Sequence, residues 1–217
     1  MQRACAMRSI SQNKEALWDQ RLQIRTIGRD ESNADEYRYP YEPTPYCVLE
    51  RLAEYGLIRE GDTLLDYGCG KGRVSFFLGA QRKIKTIGIE YDARIYQAAL
   101  QNQKTAHARA EFVPTRAEQY RVPPSVDHCY FFNPFSVEIL RKVMGKILAS
   151  WYEAPREMFL FFYYPFDEYV SYLMTVEELD FYDEIECEDL FQGKDPRERI
   201  LIFQLGGEFH EMSEMRR

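Results

Sequence analysis

The stretch Leu64-Leu65-Asp66-Tyr67-Gly68-Cys69-Gly70-Lys71-Gly72-Arg73 decides the fold. An apolar pair runs into a carboxylate, three glycines alternate after it, and GRVSFFLGAQR follows with helix-forming character. The order predicts a short buried strand, a tight turn and a helix, which is the first βα turn of an open parallel sheet. Such sheets bind nucleotides at that turn. Glycine suits it because a backbone without Cβ can turn sharply and approach a ligand closely.

Working outward, strands and helices alternate. KTIGIEY reads as a second strand, DARIYQAALQNQKTAH as a helix capped by Asp92, AEFVPT as a third strand and DHCYFFNPF as a fourth. SVEILRKVMGKILASW is a helix opened by Ser136, and MFLFFYY a fifth strand. Near-continuous apolar strands between helices predict an α/β, Rossmann-like, doubly wound sheet covered on both faces. Upstream, Ser11 to Ile24 has loose helical spacing and Gly28 to Tyr39 is a polar loop. Pro40, Pro43 and Pro45 fix an extended entry to a helix reaching about Tyr55, with Thr44 at its N-cap and Pro45 in its first turn. DFYDEIECED and RERILIFQLG, joined by the turn QGKDP, predict a closing hairpin. Residues 1–40 are read as an N-terminal helical extension and loop, and 41–217 as one domain.

Three nucleotide readings compete for the glycine turn. A phosphate loop would need GxxxxGK followed by Ser or Thr, and none is present. The dinucleotide fingerprint GxGxxG would need glycine at Arg73. What stands is acidic-x-Gly-x-Gly-x-Gly, with Glu90 ending the next strand where a carboxylate can take both ribose hydroxyls. In this motif the chain resembles the class I S-adenosylmethionine-dependent methyltransferases, over roughly Thr44 to Leu205. The resemblance implies a seven-stranded, mainly parallel sheet with an antiparallel last strand at about Arg199 to Leu205. It implies S-adenosylmethionine as cofactor, S-adenosylhomocysteine as product, and no metal. Asp66 would anchor the methionine region, Gly68, Gly70 and Gly72 would give the cofactor room, Glu90 would bind the ribose, and Tyr91 would lie against adenine. Where such enzymes place an Asp for the adenine amino group this chain has Arg116, so Ala117 and Glu118 are the candidates there.

Phe131-Phe132-Asn133-Pro134-Phe135 closes the fourth strand, at the acceptor position of many methyltransferases. Asn133, Pro134 and Phe135 resemble the Asn/Asp-Pro-Pro-aromatic motif of enzymes that methylate amino nitrogens, with Phe135 replacing the second proline. In that resemblance the Asn side chain and the following carbonyl accept the nucleophile's N–H groups. The alternative is that Asn133 caps the next helix and Phe135 is core. Pro43-Thr44-Pro45 resembles an element of archaeal and mitochondrial broad-specificity protein lysine methyltransferases, which would set Thr44 near the cofactor's carboxylate end.

Charge bears on the acceptor. The chain of 217 residues carries a net charge of −7. Residues 1–150 carry +4 and 151–217 carry −11. Eight acidic residues fall between Glu177 and Asp189, either as a solvated face or as an electrostatic rim for a cationic substrate. The expected acceptor is an amine, on a protein lysine or a small cationic metabolite. RNA or DNA, reached through Arg25, Arg29, Arg38 or Arg116, is disfavoured, and a non-catalytic binding protein is the remaining alternative. Five scattered cysteines without CxxC predict reduced thiols, and His107, His128 and His210 show no metal spacing. No apolar run reaches the roughly 20 residues of a membrane span, and the start has no secretory h-region, so a cytoplasmic setting is expected.

Overall fold

The computed structural model describes residues 10–31 and 39–206. Cys5, Arg38 and His210 lie outside them. The chain opens with α1 (Ile10–Leu22) and α2 (Tyr46–Glu54), then alternates β1 (Thr63–Tyr67), α3 (Arg73–Arg82), β2 (Lys85–Glu90), α4 (Ala93–Thr105), β3 (Glu111–Pro114), β4 (His128–Phe131), α5 (Val137–Glu153) and β5 (Met158–Tyr163). It closes with α6 (Asp167–Leu173), β6 (Leu179–Glu186) and β7 (Arg199–Leu205). Seven strands form one sheet in the order β3-β2-β1-β4-β5-β7-β6. β1 to β5 pair in parallel, and β7 runs antiparallel to both β5 and β6.

Successive strand residues face opposite layers, as the pleat requires. Leu64, Phe161 and Ile202 join the layer of α2 and α3, while Leu65, Phe162 and Phe203 join that of α5 and α6. Burial on both faces is why β1, β4 and β5 are apolar or aromatic throughout except Thr63, Asp66 and His128. Among the described residues no helix is long and apolar enough to cross a membrane.

Several local expectations are corrected. Pro45 holds the N-cap position of α2 and no side chain caps it. Thr44 instead shares a hydrogen bond with the Tyr130 hydroxyl at 3.0 Å. Asp92 does cap α4, accepting from the Arg94 and Ile95 amides. Ser136 sits at the N-cap of α5 without a capping bond, and Asn133 is not the cap. The seven-residue α6 is too short for a periodic signal; Asp167 and Glu168 in its first turn suit the helix dipole. In β6 a register shift between Phe181 and Asp183 breaks the alternation, leaving Phe181 46% exposed while Ile185 and Cys187 stay buried.

Candidate active site

β1 and β4 are central neighbours, with Tyr67 in register with Phe131. From β1 the sheet grows one way through β2 and the other way through β4, so the crevice between their carboxyl ends is a topological switch point. The glycine turn and Asn133-Pro134-Phe135 therefore meet there. At Gly68 (φ +70°) an added Cβ would stand 2.5 Å from the Pro134 Cβ, so only glycine fits the junction.

One cleft opens at this place, enclosing about 1050 Å³ with the solvent at its mouth included, large enough for a cofactor-sized ligand. Thr44, Asp66, Gly68, Glu90, Tyr91, Ala117, Glu118, Asn133, Pro134 and Phe135 all line it. Gly70 and Gly72 do not, because protein takes their space. A Cβ on Gly70 would lie 2.2 Å from the Tyr41 ring, and one on Gly72 2.6 Å from Phe112. Phe135, 4% exposed, packs edge-on to Tyr67 and Phe131 and is largely core.

The cleft is acidic. Asp30, Glu42, Asp66, Glu90, Asp92 and Glu118 line it, and among the described residues Arg73 is the only basic one there. Arg94 meets Asp30 and Asp92, and Arg73 is ion-paired to Glu15. No residue between 177 and 189 lines the cleft. That acidic run serves the fold instead, through Arg51–Asp189, Tyr55–Asp183 and Arg199–Glu184 contacts.

Glu90 accepts the Gly70 amide at 3.0 Å and the Asp92 amide at 2.8 Å, which holds the glycine turn against the end of β2. Burial raises its pKa against these bonds. Asp66 is 2% exposed, and its bonded partner is the neutral Ser75 hydroxyl at 3.0 Å. Burial pushes its carboxyl up to about 7. Between the ordinary Asp value near 4 and about 7 the folded chain binds a proton that the unfolded chain does not. Stability then falls as pH rises through that window, by at most about 1.4 kcal/mol per pH unit for this group, and is at its low plateau above it. Asp66→Asn should therefore flatten the pH dependence of the thermal midpoint between pH 5 and 8 and raise the midpoint at pH 8. An unchanged slope would contradict it.

Cys69 is a filler. Burial raises its thiol well above the usual range, and its Sγ would lie 2.7 Å from a Cβ on Gly88. Tyr91 is 46% exposed, with the Arg116 guanidinium 5.3 Å from its ring centroid. Arg116 itself is outside the cleft lining, while Ala117 and Glu118 face it from a 3₁₀ turn.

Sequence reading missed the clasp on the N-terminal segment. Arg73, 2% exposed, donates to Thr26 Oγ1 at 2.7 Å, to the Thr44 carbonyl at 3.0 Å and to Glu15, and lies 4.3 Å from the Tyr46 ring centroid. Asp19 accepts from Thr26 and from the Tyr46 hydroxyl. Tyr41 bridges to Asp30, donates its hydroxyl to the Thr26 carbonyl at 2.6 Å and carries Lys71 over its ring. These bonds fix Asp30, Tyr41 and Thr44 as one wall of the cleft. The available signal was a charge at the head of the apolar run VSFFL, and aromatics between prolines at 39–41.

Asn133 (φ +41°) and Tyr164 (φ +52°) are both left-handed, a strain of about 1–3 kcal/mol each. They stand two residues beyond the register pair Phe131 and Phe162. Asn133 Nδ2 donates to the Tyr164 carbonyl, and its Oδ1 accepts the Phe166 amide at 3.4 Å. The Pro134 carbonyl accepts the Tyr39 amide, also at 3.4 Å. Both long bonds leave accepting capacity on these two oxygens.

Sheet order and the cleft at the switch point define a Rossmann-like α/β fold with a candidate ligand cleft beside its acidic glycine turn. Residues 64–156 match a family model described as a methyltransferase domain. A protein-lysine N-methyltransferase of Saccharolobus islandicus (strain REY15A) is 33% identical over 64 residues, a match spanning 29% of this chain and 40% of that protein. A TehB-like SAM-dependent methyltransferase from Corynebacterium glutamicum superposes with TM-score 0.54 at 17% identity, over 90% of this chain and 97% of its own. An RNA methyltransferase from Salinibacter ruber, in complex with S-adenosyl-L-homocysteine, gives TM-score 0.53 at 17% identity, over 76% and 92%. At such identities these two structures speak for the fold alone.

Proposed function

We propose that the chain is an S-adenosylmethionine-dependent methyltransferase acting on an amine nitrogen, of a protein lysine or a small cationic metabolite. One observation carries the reading: among the described residues six acidic side chains, with Asp30 and Asp92 meeting Arg94 and Asp66 raised to about 7, and a single, ion-paired arginine line the cleft between the glycine turn and Asn133. Such a lining suits a cationic cofactor and a cationic acceptor, and repels pyrophosphate or a nucleic-acid backbone. The donor set fits the cofactor: Glu90 would take the ribose hydroxyls, Asp66 a positive charge at the methionine end, Thr44 would face that end, Tyr91 would lie against adenine, and Ala117 and Glu118 would contact its rim. Bound S-adenosylmethionine supplies a methyl carbon already activated by its sulfonium.

The residues then have to orient the acceptor and keep water out. Asn133 Oδ1 and the Pro134 carbonyl would accept two N–H groups of the amine once its third proton has left to water, which directs the lone pair. Residues 1–40 would act as an extension closing one wall of the domain at 41–217. A reducing, cytoplasmic setting suits the free thiols Cys47, Cys69, Cys129 and Cys187. The protein-lysine N-methyltransferase relative supports the amine.

Asn133→Ala should cut methyl transfer tenfold or more while S-adenosylhomocysteine affinity stays within about twofold by calorimetry. Equal loss of both would assign Asn133 a purely structural role. The acceptor class is tested by labelled methyl transfer into fractionated cell extract. Protease-sensitive or small-molecule label supports the amine, nuclease-sensitive label overturns it, and cofactor binding without transfer to any fraction favours a non-catalytic protein.

A further inference from the structure

Beside Asn133 a second hollow adjoins the cleft. It shares Tyr39, Pro40, Glu42, Phe132 and Asn133 with the cleft and adds Tyr164, Phe166 and Arg29. We infer that this hollow is the acceptor subsite, that it takes an unbranched primary alkylammonium, and that Tyr164 sets the preference. The inference rests on the methyl-transfer reading above and names the substrate chemistry of that site.

The walls are four rings, and ring faces attract an ammonium group while their apolar surface accommodates a methylene stem. Glu42 brings a carboxylate to the same hollow. Glu138 and Glu168 add negative potential beside Tyr39, whose hydroxyl is pushed up by burial first and by these two carboxylates next. Among the described residues Arg29 is the one cation in the lining, and its charge is engaged by Glu31 at 3.0 Å. The balance favours a cation over a phosphate or a carboxylate.

Tyr164 is held in place from several directions. Its amide donates to the Arg199 carbonyl at 2.9 Å, its carbonyl accepts from Asn133, and its hydroxyl donates to Asp195 at 2.5 Å. The Arg197 guanidinium, paired to the same Asp195 at 2.9 Å, lies 4.7 Å from its ring centroid. These bonds sustain a left-handed backbone that a tyrosine rarely adopts. The residue whose ring shapes the hollow is thus bonded, through its backbone carbonyl, to the residue positioned to orient the nucleophile. A linear stem lying along the rings would bring its terminal nitrogen toward Asn133, past the wall formed by Phe132 and Tyr164, whose ring centroids are 6.5 Å apart in edge contact.

The test uses the full chain, labelled S-adenosylmethionine, and three amine probes: n-pentylamine, 1,5-diaminopentane and an Nα-acetylated lysine peptide. 1-Pentanol serves as the neutral isostere and an oligoribonucleotide as the competing class. The expected result is transfer to at least one amine, competition by pentylammonium but not by pentanol, and an amine KM raised tenfold or more in Tyr164→Leu and in Glu42→Gln. Tyr164→Phe should keep most of the wild-type KM. S-adenosylhomocysteine affinity within twofold of wild type in the Tyr164 variants, and a wild-type thermal midpoint in Glu42→Gln, show that the fold is intact, and Glu42→Gln carries the test where Tyr164→Leu does not fold. Peptide against diamine separates a protein-borne amine from a free one. Wild-type KM in both variants, equal competition by pentanol, or transfer to the oligoribonucleotide alone would overturn the subsite while leaving the cofactor assignment intact. Absence of S-adenosylhomocysteine binding to the wild type would bring down the cofactor reading, and this inference with it.

Discussion

Replacing Arg73 by alanine is expected to lower the unfolding free energy by about 3–5 kcal/mol, the cost of removing one partner from a buried ion pair. The guanidinium is 3% exposed, and its partners Glu15 and Asp19 are 19% and 9% exposed. Removing it strands these carboxylates and leaves the Thr44 carbonyl and Thr26 hydroxyl without their donor. Arg73→Lys should recover only part of the loss, because one ammonium cannot reproduce the planar fork that reaches three acceptors. The same change releases the segment bearing Asp30, Tyr41 and Thr44, so S-adenosylhomocysteine affinity should fall and proteolysis between residues 25 and 45 should accelerate. Chemical denaturation and limited proteolysis read both effects. An Arg73→Ala protein of native stability with an intact segment would contradict the clasp.

The second large effect is expected at Glu90. Its two oxygens hold the Gly70 and Asp92 amides, and in the proposed complex they also take the ribose hydroxyls. A charge-assisted hydrogen bond contributes about 1.5–3 kcal/mol, so Glu90→Ala should weaken S-adenosylhomocysteine binding by one to two orders of magnitude. Calorimetric titration checks it. Unchanged affinity in a folded Glu90→Ala protein would remove the ribose from this position.

What was legible in the sequence was local and periodic. The alternation of apolar strands with helices from Thr63 onward gave the sheet, and the turn QGKDP between two strand-like runs gave the antiparallel β7 at Arg199–Leu205. Asp66, Glu90 and Asn133 could be placed because strand ends of a parallel sheet share one rim. The misses depend on contacts between residues distant in sequence. Arg73 reads as an obstacle to one nucleotide motif until Glu15, 58 positions earlier, is seen beside it. Tyr164 reads as the end of an apolar strand until its carbonyl meets Asn133, 31 positions away. Gly70 invites a ligand on the page but receives the Tyr41 ring in the fold. The acidic run from Glu177 suggested a substrate rim from its charge alone. Its contacts with Arg51 and Tyr55 of α2 lie outside the cleft, and the negative potential at the cleft comes from carboxylates between Asp30 and Glu118.

Thermal unfolding with added nucleotides addresses the cofactor assignment most directly. S-adenosylhomocysteine at about 100 times its Kd should stabilise the chain by about 2.7 kcal/mol, a midpoint shift on the order of 5–10 °C for a domain of this size, while NAD at the same concentration leaves it unmoved. A shift with NAD and none with S-adenosylhomocysteine or S-adenosylmethionine would contradict the assignment of the cleft.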